Sequence, residues 1–159
     1  MRQFTKTDIE MARKYFSTHE YPEVSITIGG QAFSYFELPQ SLNPKLPFFA
    51  VRLTGASESD GEVYGVAESV PIKYRPFVVA HEVMEFRDRT PEKDKCVKTL
   101  ERELNLVPED IRQDYILMRM TFFRNLINFA KSTPADFTEQ DVLGFEKSAR
   151  RLEELVQPI

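Results

Sequence analysis

Cysteine is almost absent from this chain: Cys96 is the single one among 159 residues. An intramolecular disulfide is therefore excluded, as suits a reducing compartment. A thiol nucleophile would need an imidazole base, and the chain has two histidines, His19 and His81. Cys96 lies in "KDKCVKTL", on the apolar stripe of an expected helix, and reads as a small buried hydrophobe. Tryptophan is missing, whereas 13 Phe and 6 Tyr point to a phenylalanine-rich core. The six glycines are scattered. They form no G-x-x-x-x-G-K-[ST] or G-x-G-x-x-G phosphate cradle and no G-x-S-x-G elbow. Clusters of Lys and Arg are also lacking, with a net charge of −4 and interleaved signs, so no nucleic-acid partner is expected. No long uninterrupted apolar run occurs. The most apolar segment, Ile111 to Ala130, carries Arg112, Asp114, Arg119 and Arg124, and no membrane span is expected. The N-terminal "MRQFTKTDIEMARKYF" lacks the apolar centre of a signal peptide, so a cytoplasmic location is expected.

What is present is ordinary for a globular protein: 42% hydrophobic and 29% charged residues, in a length that suits one domain over residues 1–159. Thr5 and Asp8 form an Asp-containing capping box for a helix reaching about Thr18, with Phe4 and Ile9 placed as a hydrophobic staple. Val24, Ile26 and Ile28 then alternate with Ser25 and Thr27, and Gly29-Gly30 separates this run from "AFSYF". That pattern predicts a β-hairpin. "FFAVRLTG" predicts a third strand, "ASESDG" a solvated turn, and Glu62 to Glu68 a fourth strand. Pro76 suits the first turn of a helix running to Arg87. Thr90-Pro91 is expected to cap a helix to about Asn105, with Cys96, Leu100 and Leu104 on one stripe. Pro108-Glu109-Asp110 opens a long, central helix to about Lys131. Thr138 caps the last helix, whose stripe is Val142, Phe145, Ala149, Leu152 and Val156. The expected fold is α+β: an N-terminal helix, a small, mainly antiparallel sheet of three to four strands, one helix after it, then three C-terminal helices from about residue 90.

The chemistry concentrates in "VVAHEVMEF", residues 78–86. On a helix, His81 and Glu85 stand one above the other and can reach one metal ion. Glu82 points about a quarter-turn away, where a carboxylate can take a proton from metal-bound water. Imidazole and carboxylate both ligate zinc, while the extra carboxylate shifts preference toward manganese or iron. A divalent metal is thus the cofactor this helix would hold; a locally hydrogen-bonded polar stripe without metal is the alternative. A third ligand is needed. His19, Glu101, Glu103, Glu109, Asp110 and Asp114 are available, and none stands out by spacing.

The longer stretch "YRPFVVAHEVMEF" resembles the active-site helix of zincin metallopeptidases, especially the ImmA/IrrE-like group. Arg75, Phe77, Ala80, His81 and Glu82 carry the likeness, with Pro76 inserted between the Arg and the Phe. The resemblance implies a zinc ligand at His81 and a general base at Glu82. Zincins have H-E-x-x-H, however, and this chain has Glu85 at the second ligand position and Met84 where a small residue is common. "LERELN", with Glu101 and Glu103, is faintly similar to the family's downstream glutamate motif. Three functions remain open: a zincin-like domain without proteolysis, acting in regulation or interaction with a protein or peptide partner; a metal-dependent, peptidase-like hydrolase; and a structural domain. An edge strand along the groove beside Glu82 would favour a zincin-like frame, because such enzymes hold extended peptides by strand addition.

Overall fold

A computed structural model describes residues 3–88 and 94–156. Helix α1 spans Lys6–Thr18 and starts as its sequence predicts. The Thr5 side chain accepts from the Asp8 N–H, and the Asp8 carboxylate accepts from the Thr5 N–H. Strands β1 (Glu23–Ile28) and β2 (Gln31–Leu38) pair antiparallel across Gly29-Gly30. Both glycines have positive φ, 59° and 78°, as a tight hairpin requires. Strand β3 covers Ala50–Thr54 and β4 covers Glu62–Ala67. Between them Ser57 and Asp60 close a one-turn 3-10 helix, so the acidic "SESDG" segment is a capped turn.

The sheet order is β1-β2-β4-β3. β3 pairs antiparallel with β4, but β2 and β4 run parallel. The expectation of a mainly antiparallel sheet thus holds for two of the three pairings, and β4 is central. Gly65 explains part of that position. A Cβ there would meet Leu38 Cδ1 at 2.5 Å, so the glycine leaves room for the buried Leu38 side chain to lie over β4.

Alternation along β2 and β4 sorts their side chains onto two faces. Phe36, Leu38, Val63 and Ala67 join Ile9 and Phe16 of α1 in one apolar cluster. Tyr35, Tyr64 and Val66 join a second, larger cluster with the helical half. Helix α2 (Arg75–Arg87) brings Val78, Val79 and Val83 into that second cluster. Pro76 stands in its first turn, as expected. Helices α3 (Lys95–Leu106), α4 (Arg112–Ser132) and α5 (Glu139–Leu155) complete it with Leu100, Tyr115, Phe123 and Leu152. The expected Thr90-Pro91 cap lies outside the described residues, and α3 begins at Lys95. The Pro108 segment first makes a 3-10 turn, Glu109–Ile111, before α4 begins. Thr138 caps α5 with a reciprocal Asp141 bond. Among the described residues, no helix is long and apolar enough to cross a membrane.

Candidate functional site

Arg75, the arginine of the motif, is a structural clamp. Its Nε donates to the Val70 carbonyl (2.7 Å), Nη2 to the Glu68 carbonyl (2.8 Å) and Nη1 to Glu37 (2.8 Å). These three bonds fix the start of α2 against the ends of β2 and β4. The helix is thereby aimed so that its later polar residues face α3, α4 and β3.

His81 is buried, and both of its ring nitrogens are engaged. Nδ1 lies 2.8 Å from Glu103 Oε1, and Nε2 lies 3.2 Å from Glu85 Oε2. Glu103 comes from α3 and is fully inaccessible to solvent. Its charge is met from α4: Arg119 Nε and Nη2 donate side-on at 2.9 and 3.0 Å, and the Tyr115 hydroxyl donates a further short bond. Tyr115 and Arg119 are one helical turn apart, which aims both at one carboxylate.

On the Nε2 side the groups are less enclosed. Arg52, from the edge strand β3, reaches across to α2. Its Nη1 is 3.2 Å from Glu85 Oε1 and 3.6 Å from Glu82 Oε2. The side chains of Arg52, Glu82 and Glu85 retain 12, 17 and 18% exposure, against 0 and 1% for Glu103 and Arg119. Cys96 joins this side. The ligand atoms of His81, Glu85 and Cys96 all lie within 4.8 Å of one another, a group that could hold a metal ion. The Cys96 thiol also contacts the Ser148 hydroxyl of α5 at 3.2 Å.

Electrostatics follow from this geometry. Burial opposes a charge on His81, but hydrogen bonds to Cys96, Glu103 and Glu85 outweigh it, and the imidazole holds its proton well above the usual value. Burial likewise opposes a charge on Glu85, yet the His81 bond and Arg52 overcome it and bring its carboxyl down to about 2. Glu103 is also held below the ordinary carboxylate range, with burial overcome by Arg119 and His81. The result is a balanced set: His81, Arg52 and Arg119 against Glu82, Glu85 and Glu103.

Of the residues expected at a site, His81, Glu82 and Glu85 do share one locality. The other candidates for a third ligand separate cleanly. His19 is exposed at the end of α1, bonded to the Tyr15 carbonyl. Glu101 is exposed and paired with Arg151 at 2.7 Å, and Glu109, Asp110 and Asp114 are exposed. Glu103 faces Nδ1, so it orients the imidazole and does not join Glu85 at Nε2. The third group gathered with His81 and Glu85 is Cys96, which the sequence presents as an inert hydrophobe. Arg52, Arg119 and Tyr115 were not anticipated either.

The polar groups form one wall of a cavity of about 360 Å³. The other walls are apolar, with Phe49, Val51, Phe122 and Leu126 among their residues. β3 therefore does flank the groove beside Glu82, with Arg52 bridging it.

No protein-family model, curated protein or solved structure matches this chain. The functional argument rests on the side chains themselves. The chemistry of His81, Glu85 and Cys96 fits a transition metal with one open position, since imidazole, carboxylate and thiolate are all zinc donors. The Glu103 bond to Nδ1 is the support that metal-bound histidines commonly have. Arg52 opposes that fit by placing a cation on the would-be ligand Glu85 and the would-be base Glu82.

Proposed function

We propose that this chain is a zincin-like binding module, acting in regulation or interaction and not in proteolysis. The observation that carries this reading is the Arg52 bridge from β3 to both Glu82 and Glu85. A general base must attract a proton, and a metal ligand must tolerate a dication; a guanidinium at 3.2–3.6 Å works against both. The bridge also lies across the groove in which an extended peptide would have to add to the β3 edge. The site without metal is already charge-balanced and hydrogen-bonded, as a buried polar cluster must be. The apolar cavity behind it suits a small ligand. The resemblance of the α2 sequence to zincins and the edge strand beside Glu82 support the frame.

A metal-dependent hydrolase is the second reading, favoured by the convergence of His81, Glu85 and Cys96 with Glu103 behind the imidazole. There Glu82 would take the proton of a water in the open position, and the bound metal would supply Lewis acidity.

Elemental analysis of protein purified without chelator, with assays on unfolded peptide substrates, separates the two. The binding-module reading expects metal well below one equivalent and no cleavage. One equivalent of zinc, manganese or iron, with cleavage lost in Glu82→Gln, would establish the hydrolase instead.

A further inference from the structure

One wall of the 360 Å³ cavity is a loop: Leu42, Asn43 and Leu46 line it from residues 40–47, between β2 and β3. This segment adds no strand to the sheet, and its one helical element is a 3-10 turn, Gln40–Leu42. Leu42 lines the cavity and is also 42% exposed, so the cavity reaches the surface at this loop.

The loop is braced as one piece. Pro44 and Pro47 each have a fixed φ. The Gln40 side chain ties the two ends together. Its Nε2 donates to the carbonyls of Asn43 (2.9 Å) and Leu46 (3.0 Å), and its Oε1 accepts from the Phe48 N–H (3.3 Å). Ser69, in the turn after β4, fastens this piece to the body. Its hydroxyl donates to Gln40 Oε1 and accepts from the Phe48 N–H at 3.3 Å. Phe48, where the loop rejoins the sheet, has φ of 63°. A bulky residue in the left-handed region is an outlier, and such strain collects at clamps and switches. If the loop swings out at Phe48, that strain is released and no strand pairing is lost.

Size and lining limit what can enter. One turn of helix, about 5.4 Å long and about 10 Å across, fills about 420 Å³. The cavity is smaller than that, so its occupant is a small molecule. Seven phenylalanine side chains line it. Phe122 and Phe123, Phe129 and Phe137, and Phe137 and Phe145 meet edge to face, at interplanar angles of 77°, 81° and 74°. A flat aromatic guest extends that packing, and an aliphatic guest of the same size does not. Resting on the binding-module reading, we infer that the cavity takes a small compound built on fused aromatic rings, and that residues 40–47 are the lid that admits it.

N-phenyl-1-naphthylamine, which fluoresces in apolar surroundings, is a direct probe, titrated into the 159-residue chain. Saturable one-to-one binding is expected, with naphthalene as a competitor. Corrected for its own water-to-cyclohexane transfer, naphthalene should bind about threefold or more tightly than decalin. Leu126→Trp narrows the cavity and should weaken the probe about tenfold or more. Gln40→Ala unlatches the lid, so probe entry and release should both quicken about fivefold or more in stopped flow. In hydrogen exchange, the amides of Asn43, Leu46 and Phe48 should slow in saturating naphthalene, and by more than those of β1. The inference is overturned if the probe does not saturate, if decalin matches naphthalene, or if a folded Leu126→Trp protein binds like the wild type. It is equally overturned if Gln40→Ala leaves both rates unchanged, or if the lid amides do not respond to naphthalene. These measurements need no metal and no peptide substrate. Their failure is therefore distinct from failure of the binding-module reading, which would show as metal uptake with peptide cleavage.

Discussion

His81 divides its surroundings into two regions that differ in one respect. Behind Nδ1, Glu103, Tyr115 and Arg119 are sealed from solvent, Arg119 alone of them touching the cavity; before Nε2, Glu82 and Glu85 are partly open and line the cavity, and Arg52 reaches both. Both regions pair carboxylates with arginine. In the sealed one the geometry is bidentate, and every oxygen of Glu103 has a donor. In the open one a single Arg52 nitrogen serves two carboxylates at longer range. The sealed half behaves as scaffold, because removing either partner strands a charge in a dry interior. The open half can exchange partners with a ligand or an ion, because solvent screens what is lost. Function is therefore assigned to the open half and orientation to the sealed half.

The largest test of that contrast is Glu103→Ala. It strands Arg119 beneath α3 and should cost about 3–5 kcal/mol in chemical denaturation. A loss below about 1 kcal/mol would remove the distinction between the halves. Acid titrates both halves and is next in effect. The carboxyls of Glu85 and Glu103 are held below their usual value, so their stabilisation is complete above about pH 4.5. Glu85 loses its share as pH falls toward 2. The His81 proton is held above its usual value, so its contribution is complete below about pH 6.5 and fades as pH rises beyond it. Metal-free protein should thus be most resistant to urea between about pH 4.5 and 6.5. A midpoint still rising from pH 6.5 to 8 would contradict the assignment of His81. Arg52→Gln should cost about 2 kcal/mol, the scale of a charged hydrogen bond, and so less than Glu103→Ala. An equal or larger loss would reverse the assignment of scaffold and exchangeable halves. Cys96→Ser should be the mildest change, within about 1 kcal/mol, provided the cysteine holds no metal. A collapse of stability in that variant would point to a metal-supported site.

Much of the frame could be read from the chain because it is local. The Thr5 and Thr138 capping boxes, the Gly29-Gly30 hairpin, Pro76 at the start of α2 and the α5 stripe each lie within one turn or one element. The insertion of β4 between β2 and β3 depends on pairings far apart in sequence and left no periodic trace. At the site, the helical spacing of His81 and Glu85 was legible, but their partners come from three other elements. A signal for Glu103 existed. It lies on the stripe of Leu100 and Leu104, a carboxylate at a core position among five candidate acids. Arg119 is likewise a charge within the buried stripe of Tyr115 and Phe123. A lone charge on a core stripe foretells a buried partner without naming it. Cys96 and Arg52 carried no such mark, since a half-buried cysteine and a strand arginine have many ordinary settings.

Zinc affinity in wild type and in Arg52→Gln, measured by competition with a zinc chelator, tests the central claim most directly. If Arg52 holds Glu82 and Glu85 against a metal, the wild type should bind zinc weakly, and the variant about tenfold or more tightly. Tight, stoichiometric zinc in the wild type, unchanged in the variant, would contradict it.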